Sequence, residues 1–188
     1  MTALLLVDIQ VGLDEYDFYG GERNNPDAES NCKRILDFFR ENKLPLIHIQ
    51  HCSTNPASPL SPEKEGNAIK SIVQPIDAEP VVQKNVHSAF IGTDLKERLE
   101  TKGVREVIIV GLTTDHCVST TARMAANLGF QTTVVSDATA TFNKIGIDGK
   151  NYEAELIHQT ALASLKDEFA EIVDTETLME NLKTDSTP

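Results

Sequence analysis

A three-layer α/β fold, with a mostly parallel six-stranded sheet between two layers of helices, is what this 188-residue chain predicts. Three observations point there. Short apolar or β-branched runs alternate with helical patterns along the whole chain, as in successive βαβ units. Two of the runs, Ala3–Val7 and Val107–Val110, are apolar throughout, as strands covered on both faces are. The length suits one domain with a sizeable core. For such a doubly wound, Rossmann-like sheet the strand order 3-2-1-4-5-6 places sites outside the carboxyl ends of the strands, where the order reverses.

Ala3–Val7 is the first strand. Residues 12–25, with Gly12, Gly20, Gly21 and Asn24-Asn25, make a polar loop that carries Tyr16, Phe18 and Tyr19. Pro26 opens a helix reaching Arg40, because its fixed φ suits a first helical turn. Pro45–Gln50 is the second strand. Residues 51–66 hold Pro56, Pro59 and Pro62, a loop of the length at which lids occur. A third strand ends at Lys84, and after His87–Phe90 comes a helix capped by Thr93. Val107–Val110 is the fourth strand. The following helix reaches Leu128 and stops at Gly129, a residue suited to the left-handed position after a helix. Thr132–Ser136 is the fifth strand, and the loop 137–150 carries Phe142. A helix over Tyr152–Leu165, a short strand over Ala170–Val173 and a terminal helix complete one domain over residues 1–183. Residues 184–188 are expected to fray.

Composition excludes several functions. A net charge of -12 argues against nucleic-acid binding, which needs a basic face. Three cysteines (Cys32, Cys52 and Cys117) with no CxxC spacing disfavour a disulfide framework or a zinc knuckle. They fit a reducing, cytoplasmic location. The N-terminal apolar run lacks a basic flank and is broken by Asp8, so it does not read as a signal peptide. No apolar stretch approaches the roughly 20 residues of a membrane span.

Cys117 carries most of the functional information. It follows Val107-Ile108-Ile109-Val110-Gly111-Leu112-Thr113-Thr114-Asp115-His116, which puts it in the first turn of a helix. Free N–H groups and partial positive charge there favour thiolate, the nucleophilic form. A buried structural cysteine is the alternative. Asp8 ends the first strand, where a carboxylate must be paired, hydrogen-bonded or functional; a cap or structural ion pair is its alternative. Lys84 ends the third strand, and a solvated strand-end lysine is the alternative for it. The 3-2-1-4-5-6 order brings strands one and four together across the switch point, so that carboxylate, lysine and thiol converge on one cleft.

These residues lie in longer matching stretches: Leu5-Leu6-Val7-Asp8-Ile9-Gln10, Lys84 with Ser88-Ala89-Phe90, Gly111-Leu112-Thr113-Thr114-Asp115-His116-Cys117-Val118, and Val135-Ser136-Asp137-Ala138-Thr139-Ala140-Thr141. In them the chain resembles the isochorismatase-like cysteine hydrolases, which include nicotinamidases and other small-amide hydrolases. The resemblance covers residues 3–175 and implies that Asp8, Lys84 and Cys117 are a catalytic triad. It also implies a cis peptide at Leu112–Thr113 and an oxyanion hole from the backbone N–H groups of Thr113 and Cys117. Attack on a carbonyl bearing nitrogen would give a thioester acyl-enzyme, with Asp8 as the proton carrier. Family members that cleave the vinyl ether of isochorismate do not need a thiol, so Cys117 favours C–N hydrolysis. A small-molecule substrate and a homodimer or homotetramer are further implications.

Nicotinamidases of the family hold a metal on an aspartate and histidines after the second strand. Here that segment reads His48-Ile49-Gln50-His51-Cys52-Ser53 and lacks the Asp-x-His pattern. On a strand His48 and His51 face opposite ways, which leads to an expectation of no metal and no cofactor. Nicotinamide is then disfavoured as substrate. Substrate contacts are expected from Gln10, Tyr16, Phe18, His51, His87, Phe90 and Phe142, with core packing the alternative for the aromatics. Asp115 and His116 are given no catalytic role. Competing readings are a metal-assisted nicotinamidase, an isochorismatase-type vinyl-ether hydrolase, a thiol redox sensor and a silent scaffold. No resolving cysteine supports the sensor, and an intact triad argues against the scaffold.

Overall fold

In the computed structural model, which describes residues 1–185, six strands form one parallel sheet. In chain order they begin with β1 (Thr2–Val7), β2 (Leu46–His51), β3 (Val81–Lys84), β4 (Glu106–Leu112) and β5 (Gln131–Ala140). β6 (Lys144–Ile145) and β7 (Asn151–Tyr152) pair with each other as a separate antiparallel hairpin, and β8 (Glu171–Val173) is the sixth sheet strand. The spatial order is β3-β2-β1-β4-β5-β8, as predicted. The helices are α1 (Tyr16–Tyr19), α2 (Ala28–Glu41), α3 (Leu95–Thr101), α4 (Ser119–Asn127), α5 (Ala154–Leu165) and α6 (Thr175–Asp185). No helix among the described residues is long and apolar enough to cross a membrane.

Side-chain alternation along the strands builds the layers. Ala3, Leu5 and Val7 of β1 pack with Leu95 and Leu99 of α3, Ala122 and Ala125 of α4, and Leu162 and Leu165 of α5. Leu4 and Leu6 face the other way, onto Ile35, Leu36 and Phe39 of α2 and Leu178 of α6. A smaller cluster of Leu13, Ala28, Leu60, Leu112, Ala140 and Phe142 lies beyond β4 and β5 and ties the loops to the sheet.

Tertiary contacts moved several predicted boundaries. β5 runs four residues past Ser136, because Thr139 and Ala140 pair with Gly111 and Leu112 of β4. The loop 137–150 is therefore shorter than expected and contains β6. Residues 12–25 are not wholly irregular: a 3-10 turn covers Val11–Asp14 and α1 follows it. α2 starts at Ala28, two residues after Pro26. The N-cap of α3 is Asp94, although Thr93 Oγ1 accepts the Leu95 N–H at 3.4 Å. α4 ends as predicted: Gly129 has φ +88°, and the Phe130 and Gly129 N–H groups reach the Ala125 and Ala126 carbonyls. α6 extends through Thr184 and Asp185, two residues into the segment expected to fray, because buried Leu178 and its neighbours Met179 and Leu182 pack the helix on the core. Residues 186–188 of that segment lie outside the described residues.

Gly111 is the tightest point of the sheet. It sits at a register irregularity between β4 and β5 with φ +120°, and a Cβ there would lie 2.0 Å from the Val7 carbonyl oxygen. The bulge bends β4 just before the turn to Cys117. Gly111→Ala is expected to lower unfolding stability by about 3 kcal/mol or more, since the obstacle is backbone and the φ is unfavourable. A urea midpoint within error of wild type would refute this.

Candidate active site

The carboxyl ends of four adjacent strands converge on one point. Asp8 directly follows β1, in the left-handed region at φ +51°, which turns the chain out of the strand. His51 ends β2, Lys84 ends β3, and Cys117 lies in the π-helical turn Thr114–Val118 between β4 and α4. A cis peptide joins Leu112 to Thr113. Lys84 Nζ is the hub. It donates to Asp8 Oδ2 at 2.7 Å and to Cys117 Sγ at 3.3 Å, and it lies 3.1 Å from His51 Nδ1. His87 Nδ1 lies 3.5 Å from the sulfur. Asp8 and Lys84 are both buried, and Asp8 Oδ1 has no hydrogen-bond partner among the described residues.

Burial pushes the Cys117 thiol well above its ordinary range; the Asp8 charge adds to this and Lys84 opposes it. This corrects the sequence expectation of a thiol lowered by a helix terminus. The π-turn Thr114–Val118 runs straight into α4, so Cys117 does sit in the first turn of that helical segment, but burial, and after it the Asp8 charge, outweigh the lowering by Lys84. Attack by the thiol form requires an acceptor for its proton. Burial, then the Lys84 charge, pulls His51 below the usual histidine range, so at neutral pH it is uncharged and Nδ1 accepts from the ammonium.

Asp8, His51 and Cys117 offer donor atoms within 4.8 Å of one another, a spacing a metal ion could use. Lys84 Nζ contacts all three residues, so a positive charge already occupies their common point. The donor set therefore does not fit a divalent cation, which would meet an ammonium at contact distance. His48 serves another neighbour, hydrogen-bonding Glu79 at 3.0 Å, as the alternation along β2 requires.

A pocket of about 220 Å³ opens above Cys117. Phe18, His51 and His87 line it, with Asp8, Thr113 and Cys117. Four predicted contacts are corrected. Gln10 is buried and braces the ends of the loops, donating to the His51 and Asn67 carbonyls and accepting the His51 N–H. Phe90 stacks on Phe130 inside the core, because it lies on the α3–α4 side of the sheet. Phe142 is fully buried and supports the wall from behind, stacked under Tyr19 with ring centroids 5.2 Å apart. Tyr16 packs edge-on against Phe142 and faces outward. Among the lining residues that sequence reasoning missed are Leu13, Tyr19, Ser58, Leu60, His116 and Lys144. All but His116 lie in the three loops flagged by length and composition, but which loop residue turns inward has no local signal.

An ion cluster ties residues 12–25 and Lys70 to α2. Glu29 of α2 receives both terminal nitrogens of Arg23 and the ammonium of Lys70, each at 2.7 Å, and Lys70 also holds Asp14. Burial pushes the Glu29 carboxyl up, yet Arg23 and Lys70 outweigh it and hold it at about 2, against an ordinary 4.5. A lowered folded value means stability present above the unfolded value and lost as pH falls towards the folded one. Wild type is expected to lose about 3 kcal/mol from this group between pH ~4.5 and ~2, and Glu29→Gln to lack that increment. Urea midpoints against pH for both proteins check it; parallel curves would sink the assignment.

A family model described as Isochorismatase domain matches residues 2–177. The isochorismatase family protein YrdC of Bacillus subtilis (strain 168) is 48% identical over 177 residues, covering 94% of this chain and 94% of that protein. Nicotinamidase 3 of Arabidopsis thaliana is 33% identical over 166 residues, 81% of this chain and 78% of its own. The crystal structure of an isochorismatase-family protein from Chromobacterium violaceum ATCC 12472 superposes with a TM-score of 0.93 at 37% identity, over 97% of this chain and 94% of the other. Agreement of this extent, in sequence and in backbone, leaves one conclusion: the chain belongs to the isochorismatase family of hydrolases.

Proposed function

We propose that this protein hydrolyses a C–N bond of a small amide, carbamoyl or ureido compound, using Cys117 as nucleophile and no metal. The observation that carries the reading is Lys84 Nζ bridging Asp8 Oδ2 and Cys117 Sγ at the floor of a pocket. A thiol beside a carboxylate with an unpartnered oxygen has a base within reach. Asp8 takes the thiol proton as sulfur attacks the carbonyl carbon, and the C=O electrons move onto oxygen. The backbone N–H groups of Thr113 and Cys117 receive that charge. The intermediate collapses, the C–N bond breaks, and Asp8 returns the proton to the departing nitrogen. Water then attacks the thioester, Asp8 takes its proton, and the acid leaves with the thiol restored. Lys84 holds Asp8 in position through their ion pair at 2.7 Å.

Support also comes from the relative named as a nicotinamidase, an amide hydrolase. Nicotinamide itself is disfavoured because the segment after β2, His48-Ile49-Gln50-His51-Cys52-Ser53, lacks the Asp-x-His pattern that holds the metal in the nicotinamidases. The test is ammonia release from primary amides, ureido acids and carbamoyl compounds, with nicotinamide included and isochorismate assayed separately. Acid-quenched samples are examined by intact mass for an acyl group on Cys117. Turnover with a Cys117 adduct is the expected result. Turnover of isochorismate alone would overturn the reading in favour of vinyl-ether hydrolysis.

A further inference from the structure

His158 is a buried titratable side chain that the thiol chemistry does not use. It projects from α5, is 2% exposed, and its ring reaches three other segments. Nδ1 lies 2.9 Å from Thr114 Oγ1, and Nε2 lies 3.4 Å from Asn25 Nδ2 at the end of the 12–25 loop. The Ser136 carbonyl of β5 also accepts from the ring. These partners assign the tautomer. Asn25 Nδ2 donates to the carbonyls of Ser136 at 3.0 Å and Thr139 at 2.7 Å, which uses both amide hydrogens. Nε2 therefore has no hydrogen to accept and carries the ring proton towards Ser136. Nδ1 is left as an acceptor, and the Thr114 hydroxyl donates to it. Burial pulls His158 below the usual histidine range, against the charges of Glu155 and Asp115 and the Ser136 carbonyl, so the ring is neutral near pH 7.

Thr114 is fully buried, opens the π-turn that ends at Val118, and lies between Thr113 and Cys117. Within the turn, the Thr113 carbonyl accepts the His116 and Val118 N–H groups at 3.2 and 3.1 Å. The Thr114 hydroxyl adds a side-chain tie from the turn to α5. The ring that receives it is itself gripped on its far edge, so the tie ends on a fixed point. We infer that His158 is a positioning residue for the oxyanion hole: by accepting the Thr114 hydroxyl it holds the start of the π-turn, so that the Thr113 and Cys117 N–H groups aim at one point. This role rests on Cys117 being the attacking atom of the pocket. It deepens that reading with a residue that is not among those lining the pocket.

The experiment uses two reactions of the same sulfur. Propionaldehyde adds reversibly: the S–C bond forms, the C=O pair moves onto oxygen in the oxyanion hole, and the thiol proton ends on that oxygen. Iodoacetamide alkylates: the S–C bond forms, iodide leaves, the proton goes to solvent, and no charge develops on oxygen. Protection of Cys117 from iodoacetamide gives the dissociation constant of the aldehyde. The Cys117 peptide is quantified by mass so that Cys32 and Cys52 do not contribute. Thr114→Val, an isosteric change, is expected to weaken the aldehyde about tenfold while the iodoacetamide rate stays within about twofold. Thr114→Ser keeps the hydroxyl and should hold the aldehyde within about threefold of wild type. His158→Leu should weaken it as Thr114→Val does, and should add nothing in the Thr114→Val background. An unchanged aldehyde constant in Thr114→Val would overturn the inference. Equal losses in both reactions, the mark of a collapsed turn, would overturn it too, as would a wild type that propionaldehyde does not protect. Amide hydrolysis by the same variants separates the two readings. Thiol-dependent hydrolysis with an unchanged aldehyde constant removes His158 alone. A weakening of about tenfold without hydrolysis of any amide keeps His158 and removes the hydrolase reading.

Discussion

Replacing Cys117 with alanine is expected to lower kcat/KM by at least about 10⁴-fold for every amide the wild type hydrolyses, which leaves only water attack assisted by Asp8. No other thiol or hydroxyl stands in its place. Ser53 and Ser58 line the pocket but are not among the partners of Asp8 or Lys84. The variant should still fold, because Cys117 packs with the core cluster on one side but opens onto the pocket on the other. Ammonia release with excess enzyme, beside circular dichroism of the variant, decides it. Residual activity above about 1% in a folded variant would mean that sulfur is not the attacking atom.

Asp8→Asn should split two properties that usually move together. Hydrolysis is expected to fall about 10³-fold, the scale of losing a positioned proton carrier. Thiol reactivity should rise. Burial lifts the Cys117 thiol first, the Asp8 charge lifts it further, and Lys84 lowers it. Removing the carboxylate deletes one raising influence and leaves the ammonium free to stabilise thiolate. Iodoacetamide should therefore label Cys117 faster at neutral pH in Asp8→Asn than in wild type, while amide turnover drops. A parallel loss of both would indicate a collapsed site and no proton carrier. The variant also leaves Lys84 as a buried cation without its carboxylate, at a stability cost of about 3–5 kcal/mol, so assays belong well below its unfolding temperature.

Much of the site was legible locally. Asp8, Lys84 and Cys117 each interrupt or follow an apolar run, and a parallel sheet has to gather its strand ends on one edge. Their order along the sheet then followed from topology, and the structure places Lys84 in contact with both of the others. The aromatics were less legible. Phe18 and Phe142 look alike in sequence, yet one lines the pocket and the other is fully buried behind Tyr19. Gln10 looked like a substrate contact beside Asp8, but Asn67 and His51 take its hydrogen bonds.

By itself the sequence determined the layers, the strand order and the three residues at the strand ends. These depend on periodicity and chain direction, and both are written in neighbouring residues. Tertiary structure alone decided which loop side chains wall the pocket, that the Lys84 ammonium lies among Asp8, His51 and Cys117, and that burial pushes the thiol up. Those outcomes depend on burial and on charges from segments far apart in the chain. The bulge at Gly111 and the Thr139 and Ala140 pairings set the path of the polypeptide around the site, and no local pattern encodes them. Charge and desolvation act through space, so their balance at Cys117 appears only once Asp8 and Lys84, 109 and 33 positions away along the chain, lie beside it.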